Sequence, residues 1–153
     1  MAALLAILDE AFERPPKKWH HFTDASPASG YFGTLAELPH ANAGRPVAAT
    51  SVADQVSHVA FLMNASARSL RGDAHSPSQE QWQASWATVD LDEPTWRRLR
   101  EELRDAYGDL RDAIRSAGSL NAEALEIAIG VLAHVAYHLG AIKQKLAVLD
   151  RAG

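Results

Sequence analysis

The sequence has no cysteine among its 153 residues, which excludes disulfide bonds, thiolate zinc sites and cysteine nucleophiles. Aromatic residues are scarce at 7%, and no segment shows the period-two alternation that marks a strand. Alanine and leucine supply much of the 47% hydrophobic fraction. Because unbranched side chains lose little rotamer freedom in a helix, this composition favours an all-α protein. The length fits a single domain over residues 1–153 with a core of its own.

Positive charge is also sparse. The formal net charge is −4, and no run of Lys or Arg is long enough to coat a phosphate backbone, so we expect no nucleic-acid partner. The apolar N-terminal stretch has no basic segment before it, and Asp9, Glu10 and Glu13 follow at once, which is unlike a signal peptide. No apolar run approaches the roughly 20 residues needed to cross a bilayer. We therefore expect no membrane partner and a cytoplasmic location.

Apolar residues recur every three or four positions in four long segments, the spacing of amphipathic helices. The predicted helices cover residues 2 to about 14, ended by Pro15 and Pro16; 51 to about 70, with Ser51 as N-cap and a stop at Gly72; 92 or 93 to about 117; and 121 to about 149, with Asn121 as N-cap.

The connections between these segments differ in length. Residues 17 to about 50 are rich in Pro, Gly, Ser and Asn, with a short helix predicted within 31–38, and a connection this long is functional or packs against the domain. Residues 79–86 are predicted to form a short helical turn. Four long helices with one long early connection predict a four-helix bundle.

Three of the seven histidines occupy related positions. His134 and His138 are four residues apart, so both rings project from one face of a helix, about one turn apart. Divalent ions such as zinc take three or four protein ligands, and His58 on the second long helix supplies a third. Neighbouring helices lie roughly 8–10 Å apart, so one histidine from a facing helix can complete the set. The sequence thus predicts a metal site formed by His58, His134 and His138, against the alternative that these histidines merely fill a polar core.

The other histidines give weaker signals. His20 and His21 could line a pocket mouth, although loop histidines usually have no such role, while His40 and His75 are expected to be solvated. Glu37 and His40 match the Glu-x-x-His spacing of di-iron bundles, but Pro39 interrupts the motif and no second copy exists. A di-iron carboxylate site is therefore not expected.

Several further residues have a structural and a functional interpretation. Trp82, Trp86 and Trp96 are expected to be core or interface anchors rather than substrate-stacking residues. Packing is also the favoured role of Tyr137. Asp54, one turn before His58, either accepts the second ring N–H of that histidine or is a surface carboxylate.

The segments Ser51–His58, Leu70-Arg-Gly72 and His134-Val-Ala-Tyr-His138-Leu-Gly-Ala-Ile142 make the chain resemble the DinB/YfiT-like superfamily. The resemblance extends over most of the chain, and its most specific part is the His-x-x-x-His-x-Gly-x-Ile ending. It implies a four-helix bundle, often dimeric, with a three-histidine site for zinc, nickel or a similar ion, here His58, His134 and His138. Many members have Gln where this chain has Ala141.

Characterised members of this superfamily include thiol-dependent S-transferases, a maleylpyruvate isomerase that uses mycothiol, and DNA-damage-induced proteins of unknown activity, and the resemblance does not choose among them. We expect a metal-dependent thiol S-transferase, or a hydrolase, acting on a small electrophilic molecule with a low-molecular-weight thiol as cosubstrate. A cation lowers the pKa of a thiol or water that it binds. The alternative is a non-catalytic metal-binding protein of the stress or damage response. A homodimer is expected from the resemblance.

Overall fold

The computed structural model describes residues 1–13, 20–73, 76–86 and 91–151. Within these ranges the regular structure is helical, apart from an isolated bridge between Val47 and Thr50, so the all-α prediction is confirmed. The helices are α1 (Ala2–Phe12), α2 (Tyr31–Leu35), α3 (His40–Ala43), α4 (Val52–Leu70), α5 (Gln79–Ala84), α6 (Glu93–Ser116) and α7 (Ala122–Arg151).

The four longest helices form a closed ring of contacts. Helix α4 packs against both α6 and α7, and α1 packs against the same two helices from the other side. This is the arrangement of a four-helix bundle. Because α4 and α7 are neighbours in the ring, side chains on their facing sides can meet although they are far apart in sequence.

Helix starts were predicted more accurately than helix ends. The Ser51 hydroxyl accepts from the Asp54 amide while the Asp54 carboxylate accepts from the Ser51 amide, a capping box. Asn121 likewise accepts from the Ala124 amide at the start of α7. Helix α1 ends at Phe12, short of the predicted Arg14, which lies outside the described residues.

The predicted apolar stripes of α4 and α6 face the core. Trp96 on α6 is fully buried and donates from Nε1 to the Leu38 carbonyl at 2.8 Å. The stripe on α7 is confirmed only from Leu132 onward, since Leu125 and Ile129 in its first two turns are exposed. The helical period therefore predicted the buried face correctly in the middle of α7 but not in its N-terminal turns.

The long connection between α1 and α4 packs against the bundle, as one of its two interpretations required. Buried Tyr31 donates its hydroxyl to the Val135 carbonyl of α7 at 2.9 Å. Gly33 permits a close approach of two backbones, because a Cβ there would lie 1.8 Å from the Pro27 carbonyl oxygen. The connection also contains the short helix α3, which the sequence did not predict.

Glu10 anchors the start of this connection. Its buried carboxylate accepts from the backbone amides of His21, Phe22 and Thr23, from the Thr23 hydroxyl, and from Nδ1 of His21 at 2.8 Å. Burial alone would raise the pKa of Glu10, but the hydrogen bonds, led by that of Phe22, lower it to about 2. This carboxylate is thus ionised at neutral pH and fixes the segment against α1.

Helix α7 is long and apolar enough to cross a membrane by length and composition, although no such run was expected from the sequence. The core helix of a soluble protein meets the same condition. The helix also carries His134 and His138 and contributes buried residues to the core. The expectations of no membrane partner and a cytoplasmic location therefore stay predictions.

Candidate metal centre

His58, His134 and His138 come together between α4 and α7. One ring nitrogen from each can be chosen so that the three atoms lie within 4.8 Å of one another. His58 and His138 are buried, whereas His134 is partly exposed. The predicted convergence is confirmed, and within the described residues this is the one group of three or more potential ligands that could hold a metal ion.

Hydrogen bonds fix which nitrogen of His58 carries the proton. The Ser85 hydroxyl donates to the Trp82 carbonyl at 2.7 Å, so its oxygen is left to accept from Nδ1–H of His58 at 2.8 Å. This tautomer leaves a lone pair on Nε2, which faces the other two histidines. Ser85 therefore orients His58 as a potential ligand.

His138 is fixed in the same way by a neighbouring side chain of α4. The Gln55 carbonyl oxygen accepts from Nδ1 of His138 in a short hydrogen bond, while the Gln55 amide nitrogen donates to the Thr50 hydroxyl at 3.0 Å. Because an amide oxygen can only accept, Nδ1 must be protonated and Nε2 must carry the free lone pair.

The spacing between two of the rings suits a shared cation. Nε2 of His58 lies 3.2 Å from Nε2 of His134. Zinc–nitrogen bonds of about 2.0–2.1 Å in a tetrahedron place two ligand nitrogens about 3.3 Å apart. The lone pair fixed on His58 thus lies at a distance from His134 that either a proton or a metal ion can bridge. The residues present fit a divalent ion.

The electrostatic state of the group also suits metal binding. Burial lowers the pKa of His58 and His138, and repulsion among the histidines, chiefly with His134, lowers both further, to about 4. Burial lowers the pKa of His134 as well. All three imidazoles are therefore neutral at pH 7, which is the form that donates a lone pair to a metal.

Aromatic side chains surround the histidines. The partly buried Trp86 ring stacks on His58 with centroids 3.9 Å apart. Tyr137 meets His138 edge-on but is 72% exposed, so the packing role favoured for it is limited to one face of the ring. Trp96, by contrast, is buried in the core as predicted, and Trp82 packs edge-on against Phe61.

Sequence reasoning missed both side chains that orient the ligands. It offered Asp54 as a partner of His58, but that carboxylate belongs to the capping box and Ser85 holds the ring. Gln55 had a detectable signal, since it is a polar residue three positions before His58 and so on the same helical face. Ser85 had none, because its contact depends on how α5 folds back over α4.

The remaining histidines do not join the group. His21 contacts Glu10, and buried Nδ1 of His20 has no hydrogen-bond partner in the described part of the chain. His40 was expected to be solvated, but its Nδ1 lies 3.1 Å from the Glu93 carboxylate. Glu37 is exposed, and no described carboxylate joins His40 in a metal cluster. His75 lies outside the described residues.

Comparison with known proteins adds no further assignment. No protein-family model, no curated protein and no solved structure matches the chain. The resemblance to the DinB/YfiT-like superfamily therefore stays a prediction that is based on the residues named above.

Replacing Gln55 tests whether the hydrogen bond from Nδ1 of His138 contributes to metal binding. We expect Gln55→Leu to weaken zinc or nickel binding by roughly 10–100-fold, because loss of an outer partner frees the ring and its tautomer. Competition with a chromogenic chelator measures the affinity. Asn64→Leu, an exposed change on the same helix, serves as control. Equal affinities for the two variants would show that Gln55 does not orient a metal ligand.

Proposed function

We propose that the protein binds one divalent metal ion, zinc or nickel, through His58, His134 and His138. The observation that carries this proposal is that Ser85 and Gln55 fix two of the histidines as tautomers whose Nε2 is unprotonated and can donate a lone pair. A polar core that needed no ion could satisfy these rings in any tautomer. Metal centres characteristically fix the tautomer through the second ring nitrogen.

We further propose a metal-dependent thiol S-transferase, or a hydrolase, that acts on a small electrophilic molecule. His58, His134 and His138 would hold the ion with fewer ligands than a closed site has, and such an ion would lower the pKa of a thiol or of water that it binds. The partly exposed side of His134 gives access from solvent. Trp86, stacked on His58, covers one face of that ring and would offer its own aromatic surface to an apolar substrate.

The chain's own residues have limited roles in this proposal. His58, His134 and His138 bind the ion in their neutral form, and Ser85 and Gln55 keep two of the rings in place. We assign no general base. A low-molecular-weight thiol would be the cosubstrate, and a homodimer and a cytoplasmic location remain expectations. The alternative is a metal-binding protein of the stress or damage response without turnover.

The test combines metal analysis with an activity assay. Protein purified without chelator should contain about one zinc or nickel per chain and should accelerate conjugation of 2-mercaptoethanol with 1-chloro-2,4-dinitrobenzene. Chelation should abolish the activity, and added metal should restore it. Bound metal without conjugation or ester hydrolysis would favour the non-catalytic alternative. Absence of metal, with no uptake of added zinc or nickel, would overturn the whole proposal.

A further inference from the structure

A second polar cluster lies on the side of α6 that faces α2 and shares no residue with the histidine group. It surrounds a groove of about 250 Å³, slightly smaller than the usual pocket for a drug-sized ligand. The groove is lined by Phe32, Leu35, Ala36, Arg97, Arg100, Glu101, Leu103 and Arg104. Three arginines thus meet a single carboxylate around an apolar floor.

The charge at this groove is opposite to that of the whole chain. The formal net charge of the protein is −4, yet Arg97 and Arg104 form no ion pair with any residue in the described ranges. Their neighbour Arg98, by comparison, lies 3.5 Å from Glu102. The groove thus presents three guanidinium groups against the one carboxylate of Glu101, and two of these cations have no ion pair within the described residues.

The third arginine is held in place by the backbone. Nη1 of Arg100 donates to the Ala36 carbonyl at 2.9 Å, and its Nη2 lies 3.7 Å from the Glu93 carboxylate. Its Nε–H is buried and has no acceptor in the described part of the protein. Arg100 is thus a fixed donor whose hydrogen bonds are incomplete on one edge.

The floor of the groove is suited to an apolar group. The Arg104 guanidinium lies over the Phe32 ring at 4.0 Å from its centroid, which keeps the charge beside an aromatic surface. Leu35 and Leu103 complete the floor. A ligand with a negatively charged end and a small ring would therefore find complementary surfaces for both parts.

We propose that this groove between α2 and α6 binds a small oxyanion, a carboxylate or a phosphate ester, that carries an apolar body. Arg97 and Arg104 supply the charge, and planar guanidinium groups match the geometry of carboxylate and phosphate oxygens. Arg100 helps position the anion from the floor. Phe32 contacts the apolar part.

Phenyl phosphate is a suitable probe, measured by calorimetry or by chemical-shift titration of the full chain at low ionic strength. We expect saturable binding to one site with a Kd on the order of 1 mM, as for a fragment of this size. Arg97→Gln and Arg104→Gln should each weaken binding by about 10-fold, as expected for loss of a charge-assisted hydrogen bond. Arg98→Gln, one position away on the same helix and outside the groove, should leave the Kd within about 2-fold.

Three further measurements separate the contribution of the charge from that of the ring and locate the binding site. Benzoate should bind as phenyl phosphate does, while benzyl alcohol, which lacks the charge, should not bind measurably. The Kd should be unchanged in His134→Ala, a change at a partly exposed position, which excludes binding at the histidine group. An equal loss in Arg97→Gln and Arg98→Gln, or no saturable binding of either anion, would overturn the proposal.

Discussion

Replacement of His138 by alanine is expected to weaken zinc or nickel binding by at least about 100-fold, since each ligand of a histidine site supplies a large share of the apparent affinity. His138 is buried, and no fourth His, Asp or Glu of the described residues joins the group, so none of these residues replaces the lost Nε2. Competition with a chelator of known affinity gives the change, and elemental analysis gives the stoichiometry.

A histidine outside the group provides the control for this measurement. His40 lies on α3 beside Glu93, so His40→Ala should leave the metal affinity unchanged. Because His138→Ala opens a cavity that could disturb the bundle, His134→Ala is a second test at a partly exposed position. Full metal affinity in both variants, with helical content retained, is incompatible with a site formed by these histidines.

Replacement of Glu10 by glutamine is expected to lower the free energy of unfolding at pH 7 by up to about 3 kcal/mol, from the difference between its pKa values in the unfolded and folded states. The buried carboxylate holds the backbone of His21, Phe22 and Thr23. Glutamine keeps the shape and one acceptor oxygen but loses the charge that strengthens these bonds. Denaturant unfolding measures the difference.

The same variant should change the response to acid. The folded-state pKa of Glu10 is about 2, against an ordinary value of 4.5, so the unfolded chain binds the proton first as pH falls. The stabilisation is therefore complete above about pH 4.5 and is lost between pH 4.5 and 2. Glu10→Gln should flatten this part of the stability curve, whereas exposed Glu126→Gln should not. Parallel curves for the two variants would contradict the proposed role.

The sequence predicted the long helices because their signals are local. The capping residues Ser51 and Asn121 and the apolar spacing of α6 act within a few positions of one another, and each was found where expected. The short helix α3 and the exposed start of α7 were missed. Both depend on which neighbouring surfaces are available, and helical period carries no such information.

The three histidines of the site could be predicted from the sequence, but the side chains around them could not. Four-residue spacing places His134 and His138 on one helical face, and an inward position on α4 brings His58 to them. Ser85 and Gln55 contact their histidines across 27 and 83 positions. The place of Gln55 on the helical face of His58 is visible in the sequence, whereas the contacts of Ser85 and Trp86 depend on how the segment after α4 folds back, which local pattern does not specify.

The histidines couple two segments that are 76 positions apart, from His58 to His134. An ion held there would tie α4 to α7 only after both helices had docked, so its binding energy would be added to the cohesion of the finished bundle. At a concentration 1,000 times Kd this contribution is about 4 kcal/mol. The supply of metal in the cell would then set how long each molecule survives unfolding and proteolysis, whatever reaction the site performs.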